Sequence, residues 1–309
     1  MINKRIISLL PSATEILCAL GLQDLLVGRS HECDYPSSIK NLPVCSSARF
    51  TSGNDSAHID SQIKEILSEA LSIYTIDKDK IKDLKPDVII TQSQCEVCAV
   101  SIKDVELTLN ELVEKETKIV SLEPHVLPDI LNEIQFIADQ FGVGDKGRFL
   151  VEEMEDRINL IRHKLKFMEQ KPKVACVEWL SPLMLAGNWT PGLIEIAGGE
   201  SIMVKDGKHS EYIDFEDILT ADPEVIIVMP CGFPIQRTLQ EIDLLLHLPG
   251  WNDLKAVKNN KVYLADGNHY FNRPGPRIVD SIEILAEILY PKQFAFGYEG
   301  EGWLHFDLS

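Results

Sequence analysis

Apolar residues along the chain follow two patterns that alternate. Short runs rich in Val and Ile, such as 88–90 and 225–227, predict buried β-strands. Apolar positions that recur every three or four residues, as in 145–170, predict amphipathic helices. Strands that alternate with helices are typical of α/β domains, so the pattern predicts an α/β protein with mostly parallel sheets.

The same order of elements occurs twice. Three pairs of segments resemble each other in the same order along the chain: 5–21 and 173–199, 81–90 and 218–227, and 118–124 and 261–267. In the second pair, a short helix ending near a proline precedes a buried strand rich in β-branched residues. The repetition predicts two Rossmann-like lobes built on one plan.

A long helical pattern separates the two halves. Its apolar positions are Phe149, Leu150, Met154, Ile158, Ile161, Leu165 and Met168. At 1.5 Å per residue such a helix spans about 37 Å. We therefore expect an N-terminal α/β lobe at 1–143, an interlobe helix at 144–170, and a C-terminal α/β lobe at 171–309. The aromatic tail after Tyr290 is expected to pack along the surface of a lobe.

Charge and composition exclude several classes of protein. The formal net charge of −18 disfavours a nucleic-acid partner, and no apolar run reaches the ~20 residues of a membrane span. The apolar run at 6–11 is too short for a signal-peptide core. The sequence as given therefore predicts a cytoplasmic protein, whereas a mature form of an exported chain would predict a periplasmic or cell-surface one. Seven cysteines without disulfide-like density fit a reducing compartment.

Ligands of open parallel sheets bind beyond the carboxyl ends of the strands. This rule selects the segments 10–14, 29–36, 91–98, 121–125, 178–191, 229–234 and 265–276. If the two halves face each other, these segments line one cleft that is rich in aromatic residues and holds a few polar groups. Such a cleft suits a flat or bulky small molecule.

Several side chains in these segments have alternative interpretations. Trp189 is expected to be exposed toward a ligand, whereas Trp251 and Tyr263 are expected in the core. Ser12 or Thr14 can cap a helix, or the helix start can offer its N–H groups to a ligand. Arg273, held before Pro274 in the loop HYFNRPGPR, is interpreted as a clamp on amide or acid groups, with a surface salt bridge as the alternative.

The pair Cys95 and Cys98 allows three interpretations: a metal clamp, a redox pair, or part of a ligand-facing wall. A single CxxC argues against a closed zinc site, but an open metal site remains possible. Its candidate ligands are His31, Cys33, Cys95, Cys98 and His269. A thiol-dependent enzyme is the least favoured class, because the chain has no GxGxxG, GxxxxGK[ST], GxSxG or HExxH motif.

The chain resembles the class III substrate-binding proteins of ABC importers, and within them the cobalamin-binding proteins. The resemblance is carried by SLLPSATEILCALG, VGRSHECDYP, LKPDVIIT, AGNWTPGLIEIAGGESI and YFNRPGPRI, and it runs from about residue 5 to 289. It implies a bilobal, non-enzymatic receptor without an intrinsic cofactor, which holds a corrinoid between its lobes and serves an ABC-type permease. The alternative is a cytoplasmic binder of a metal ion or another metallochelate, of the heme or iron-siderophore type.

The resemblance and the strand-end segments together define the candidate residues. The ligand-binding set is Pro11, Ser12, Ala13, Thr14, His31, Glu32, Gln92, Cys95, Cys98, Trp179, Asn188, Trp189, Phe233, His269, Tyr270 and Arg273. Gln92 and Glu32 are polar where relatives carry aromatic residues. Asp79 and Glu216, one in each half, are the residues that the resemblance implies for docking onto a transporter, with a solvated charged face as the alternative.

Overall fold

The computed structural model describes residues 4–51, 53, 55–68, 73–92, 106 and 117–307. The chain divides into two compact units, of which the first comprises 1–54, 58–124 and 128–152 and the second comprises 55–57, 125–127 and 153–309. Across the residues described, no helix is both long enough and apolar enough to span a bilayer. The predicted lobe boundaries and the interlobe role of 144–170 stay predictions.

The first unit is built on a parallel sheet. Its strands are β1 (Ile6–Ser8), β2 (Leu26–Arg29), β5 (Val88–Gln92) and β6 (Lys118–Leu122), in the order β2-β1-β5-β6, beside an antiparallel pair of β3 (Ser46–Ala48) and β4 (Tyr74–Ile76). Helices of this half of the chain span Pro11–Ala19, Ser56–Ser68, Lys78–Leu84, Leu127–Gln140 and Gly144–Leu165. All five residues of β5 are buried, as expected at the centre of a covered parallel sheet.

The second unit holds a mixed sheet. Its strands are β7 (Lys173–Trp179), β8 (Met184–Leu185), β9 (Glu200–Ser201), β10 (Glu211–Tyr212), β11 (Val225–Val228), β12 (Val262–Ala265) and β13 (Trp303–His305). Strands β9, β7, β11 and β12 run parallel, whereas β8, β10 and β13 add antiparallel pairs. Its further helices span Thr190–Ile196, Phe215–Ala221, Ile235–Leu239, Asp243–Leu246, Lys255–Lys258 and Ile278–Leu289.

The internal repeat is confirmed at the level of the backbone. The helices Lys78–Leu84 and Phe215–Ala221 are both seven residues long. Each ends at a left-handed residue, Lys85 with φ 44° and Asp222 with φ 47°, and a proline follows at once. A left-handed residue before a proline stops a helix, because proline has no N–H group with which to continue it. A buried strand then starts two residues after the proline in both units.

The long helix is shorter than its pattern predicts. It spans Gly144–Leu165, so its last five predicted residues lie outside it. Met154, Ile158, Ile161 and Leu165 are buried as expected. Phe149 and Met168 are 68% and 39% exposed, so their assignment to the buried face is wrong. The helix ends where its buried stripe ends, since packing of the apolar face supplies most of a helix's stability.

The C-terminal tail packs on the second unit, as predicted. Strand β13 pairs antiparallel with β12 and closes that edge of the sheet. The buried Glu287 carboxylate accepts hydrogen bonds from Gly297 N (2.5 Å), Tyr298 N (3.2 Å) and Trp303 Nε1 (2.9 Å). These three bonds fix the tail against the helix Ile278–Leu289.

Candidate functional site

In each of the two larger sheets, the segments that leave two neighbouring strands run to opposite sides of the sheet at one point of the described strand order. In the first unit this point lies between β1 and β5, and in the second between β7 and β11. A crevice forms beyond the carboxyl ends of the strands at such a switch point, and ligands of open α/β sheets bind there. Functional side chains are therefore expected on the segments that leave β1, β5, β7 and β11.

The segment after β1 leads straight into a helix. Pro11 is its first residue and Leu10 is its N-cap, so the prediction that Ser12 or Thr14 caps this helix is wrong. Proline suits the first turn because its missing N–H group would be unpaired there in any case. Ser12 is 1% exposed, and its Oγ atom has no hydrogen-bond partner among the residues described.

Thr14 joins this helix to the neighbouring segments. Its hydroxyl donates to Ser8 Oγ at 2.8 Å and lies 3.1 Å from Cys33 Sγ. Burial raises the pKa of the Cys33 thiol, so the thiol remains protonated at neutral pH. Cys33 therefore packs and holds the loop, and a protonated thiol is a poor metal ligand.

His31 and Glu32 lie side by side on the loop after β2. The Arg29 guanidinium donates to the carbonyl oxygens of Cys33 (3.0 Å) and Lys40 (2.9 Å) and so holds both ends of this loop. His31 Nδ1 lies 3.0 Å from Ser46 Oγ. Burial and the nearby Arg29 charge lower the pKa of His31, so its imidazole is neutral at pH 7.

Tyr74 contacts both of these loop residues. Its ring centroid lies 5.5 Å from that of His31, and its hydroxyl donates to Glu32 Oε1 at 3.3 Å. The structure thus brings His31 and Glu32 together as a polar pair at the carboxyl edge of the first sheet.

Gln92 is the last residue of β5 and is 4% exposed. It lies at the switch point of the first unit, and its contact with a ligand stays a prediction. Cys95 and Cys98 follow it in sequence but lie outside the described residues, so their role stays a prediction.

Two aromatic residues meet at the switch point of the second unit. The rings of Trp179 and Phe233 are 5.3 Å apart and tilted by 58°. Trp179 Nε1 donates to Ser181 O at 3.1 Å, and the Arg237 guanidinium lies 4.8 Å from the centre of the Phe233 ring. Both aromatics are at least nine-tenths buried, so they form a fixed apolar wall.

Asp266 is a residue that the sequence analysis missed. Its Oδ1 atom accepts hydrogen bonds from the N–H groups of Asn268 (2.9 Å) and His269 (2.8 Å), and Oδ2 lies 2.9 Å from His269 Nδ1. Because a carboxylate accepts, Nδ1 is the donor in this contact, and Nε2 is the ring nitrogen that Asp266 does not hold. The sequence D-G-N-H after a strand was the available signal, since Asp readily accepts from N–H groups two and three residues on.

Gly267 lets two strand-end loops approach closely. A Cβ atom there would lie 2.1 Å from the carbonyl oxygen of Pro230, so a side chain at this position would displace the backbone. Gly267 N donates to Phe233 O at 3.0 Å, and Gly267 O accepts from Gly232 N at 3.2 Å. The loop that carries His269 is thereby joined to the loop that carries Phe233.

Tyr270 and Arg273 lie further along the same loop. Tyr270 packs against Tyr298 of the tail with ring centroids 6.0 Å apart, and the Arg277 guanidinium lies 5.7 Å from its ring centre. Arg273 is 7% exposed and donates to Asn268 Oδ1 at 3.2 Å. Its side chain therefore does not lie at the surface, whereas its roles in a clamp or in an ion pair stay predictions.

Trp189 is buried, so its predicted exposure toward a ligand is wrong. It is 7% exposed, and its Nε1 donates to Phe271 O at 2.7 Å. The neighbouring Asn188 has φ 51°, and its main chain pairs with Gly207 and Lys208. Both residues hold the start of the helix Thr190–Ile196 against nearby loops, and a contact of either with a ligand stays a prediction.

The remaining candidates are the two docking residues and the metal ligands. Asp79 and Glu216 are exposed and occupy the first turns of the equivalent helices Lys78–Leu84 and Phe215–Ala221. Among the residues described, no three His, Cys, Asp or Glu side chains come together as a metal site. The described candidates His31, Cys33 and His269 therefore do not form such a site by themselves.

The chain belongs to the periplasmic binding protein family, whose pattern matches residues 6–268. It is 24% identical over 303 residues to an uncharacterized ABC transporter substrate-binding lipoprotein, YvrC, of Bacillus subtilis, covering 94% of this chain and 81% of that protein. It is 24% identical over 287 residues to the vitamin B12-binding protein of Vibrio parahaemolyticus, covering 92% and 88%.

Solved structures confirm the predicted class III fold. The periplasmic vitamin B12-binding protein BtuF of Vibrio cholerae has a TM-score of 0.67 and 23% identity, and covers 93% of this chain and 96% of its own. Staphylococcus aureus IsdE, complexed with heme, has a TM-score of 0.70 and 19% identity, and covers 93% and 99%. The family consists of binding proteins, so the thiol-dependent enzyme is not retained, and the cytoplasmic location finds no support.

Proposed function

We propose that this protein binds cobalamin or a related corrinoid outside the cytoplasm and delivers it to an ABC importer. The observation that carries the proposal is the similarity to a vitamin B12-binding protein over 92% of the chain. The lipoprotein relative in Bacillus subtilis supports the importer and the location at the cell envelope.

The second unit offers surfaces that suit a corrinoid. The fixed pair Trp179 and Phe233 provides an apolar face for a flat macrocycle. Arg273 is our candidate for a clamp on the amide oxygens at the edge of such a ring, because its planar guanidinium carries several N–H donors. Aromatic walls with a few placed polar groups are typical of small-molecule sites.

His269 is our candidate for the metal at the centre of the ligand. Asp266 holds its Nδ1, so Nε2 is the nitrogen that would coordinate a cobalt or iron ion. A carboxylate behind a ligating histidine raises the basicity of the imidazole and fixes its orientation. Its side chain is 41% exposed, which leaves it within reach of a ligand.

Calorimetric titration with cyanocobalamin tests the proposal. We expect one corrinoid to bind per chain at submicromolar concentration, with a negative heat-capacity change from burial of apolar surface. Absence of binding at micromolar cyanocobalamin and aquocobalamin would overturn the corrinoid assignment.

Heme is the alternative ligand, favoured by the structural likeness to heme-bound IsdE and by the Asp266–His269 pair. Titration with hemin under the same conditions separates the two. A hemin affinity at least about tenfold higher than that for cyanocobalamin would assign the protein to heme uptake.

Docking onto the importer is assigned to Asp79 and Glu216. A variant with Asp79→Arg and Glu216→Arg should bind cyanocobalamin normally and fail to support its uptake in cells that lack their own copy. The control is Asp24→Arg with Glu301→Arg, which makes the same change of charge at two other exposed acids. Equal loss of uptake in both variants would contradict the assignment.

A further inference from the structure

A basic segment with exposed apolar side chains lies at the end of the long helix. Residues 160–173 contain five Lys or Arg residues and one Glu, in a chain whose net charge is −18. In the same segment Leu160, Phe167 and Met168 are 48%, 84% and 39% exposed. Of the exposed large apolar side chains in the described part of the chain, Phe167 is the most exposed.

Stabilisation of the helix end explains part of the positive charge in this segment. Arg162, His163 and Lys164 lie in the last helical turn, where positive charge interacts favourably with the helix dipole. That effect falls off within the last turn, so it does not account for Lys166 and Lys171 beyond the helix end. It gives no reason for an exposed Phe167 either.

Packing and hydrogen bonds fix the position of this segment on the second unit. Leu165 is buried against Gly198, where a Cβ atom would lie 2.9 Å from Leu165 Cδ1. Met168 N donates to Leu165 O at 2.9 Å and closes the turn that carries Phe167. Lys164 Nζ donates to Gln293 O at 3.3 Å and so joins the helix end to the tail. Phe167 is thus presented at a fixed place on the second unit.

We propose that this basic-apolar surface (Leu160, Lys164, Lys166, Phe167, Met168 and Lys171) docks on an anionic phospholipid bilayer. Lysines near an anionic bilayer are attracted to its surface, and exposed aromatic and aliphatic side chains insert at the boundary of headgroups and acyl chains. Charge complementarity favours this partner, because the segment is locally positive. The rest of the chain, with its overall charge of −18, is repelled by an anionic bilayer, so contact is confined to this surface.

The surface lies away from the predicted ligand residues of its own unit. It adjoins the amino-terminal end of β7, whose first residue is Lys173, whereas Trp179 ends the same strand. Lipid contact therefore leaves the strand-end loops of the second sheet uncovered, and the inference does not depend on the identity of the ligand.

Co-sedimentation of the full chain with large vesicles tests the proposal. One set of vesicles contains equal parts of phosphatidylglycerol and phosphatidylcholine, and the other contains phosphatidylcholine alone. We expect binding to the anionic vesicles that weakens as salt is added, and at least about tenfold weaker binding to the neutral ones. Phe167→Ser alone, and Lys164→Glu, Lys166→Glu and Lys171→Glu together, should each lower the binding by about tenfold or more.

The matched control is the triple variant Lys40→Glu, Lys82→Glu and Lys205→Glu, which makes the same change of charge at exposed lysines elsewhere. It should bind the anionic vesicles to within about twofold of the parent chain. An equal loss in both triple variants, equal binding to neutral vesicles, or no binding at all would overturn the proposal. A dimer in light scattering that Phe167→Ser abolishes, without vesicle binding, would assign the surface to a second copy instead.

Discussion

His269 Nδ1 lies 2.9 Å from Asp266 Oδ2, and the main-chain N–H of His269 donates to Asp266 Oδ1 at 2.8 Å. The carboxylate therefore holds both the backbone and the ring of the same residue. Asp266 is the first residue after β12, so the sheet determines the position of the imidazole.

Asp266→Ala should weaken aquocobalamin binding by about 10- to 100-fold, because the imidazole loses the group that orients it. His269→Ala should remove the spectral change that imidazole coordination produces in aquocobalamin. Absorption titration measures both effects. The control is Asp253→Ala, at a carboxylate that is 81% exposed, and it should leave affinity unchanged. Unchanged affinity in the Asp266 variant would contradict a role in ligand binding.

Trp179→Ala should lower affinity for cyanocobalamin by about tenfold or more, because it removes one of the two rings of the aromatic wall. Trp251→Phe is the matched control, since Trp251 packs in the core of the second unit. The control should lower the unfolding temperature and leave affinity unchanged. The reverse outcome would place Trp179 in the core and outside the site.

Gly267→Ala should lower the free energy of unfolding by about 2 to 4 kcal/mol, because its Cβ would collide with the carbonyl oxygen of Pro230. It should also weaken ligand binding, since the loops that carry Phe233 and His269 separate. Gly53→Ala is the control, because nothing lies within 4 Å of the added Cβ. Urea unfolding measures both variants, and equal stability would show that the two loops tolerate displacement.

Glu133 makes stability depend on pH in the first unit. Its Oε1 accepts from Glu123 N at 2.6 Å, and burial raises the pKa of the carboxyl to about 7, with smaller contributions from the charges of Asp129 and Glu123. Between about pH 4.5 and about pH 7 the folded chain holds a proton that the unfolded chain has lost, so stability falls as pH rises through this window.

The side-chain amide of Glu133→Gln keeps an oxygen that accepts from Glu123 N, but it does not titrate. The variant should therefore be more stable than the parent above pH 7, by on the order of 1 to 2 kcal/mol after allowance for partial solvent screening. Thermal unfolding across the window measures the effect, with the exposed Glu152→Gln as the control. A parallel pH dependence in parent and variant would show that Glu133 titrates normally.

The repeat and the strand ends were predictable because they depend on local pattern. The apolar runs at β5 and β11 and the prolines that precede them define where each strand starts and which segments follow it. The helix Thr190–Ile196 follows from the same repeat, because 173–199 has the order of strand, loop and helix that 5–21 has.

Side-chain burial was harder to predict because it depends on distant partners. Trp189 stands in a polar loop, but the acceptor for its indole N–H is Phe271 O, 82 residues away. Arg273 likewise meets Asn268 in a folded loop whose shape its sequence does not specify. Ser12 was misassigned because Pro11 already begins the helix.

The central claim, that the cargo is a corrinoid, is tested most directly by identifying what the protein carries from its own cell. The protein, isolated without added ligand and denatured, should release a corrinoid that mass spectrometry detects at close to one molecule per chain. Release of heme, of an iron chelate, or of another compound in its place would contradict the account.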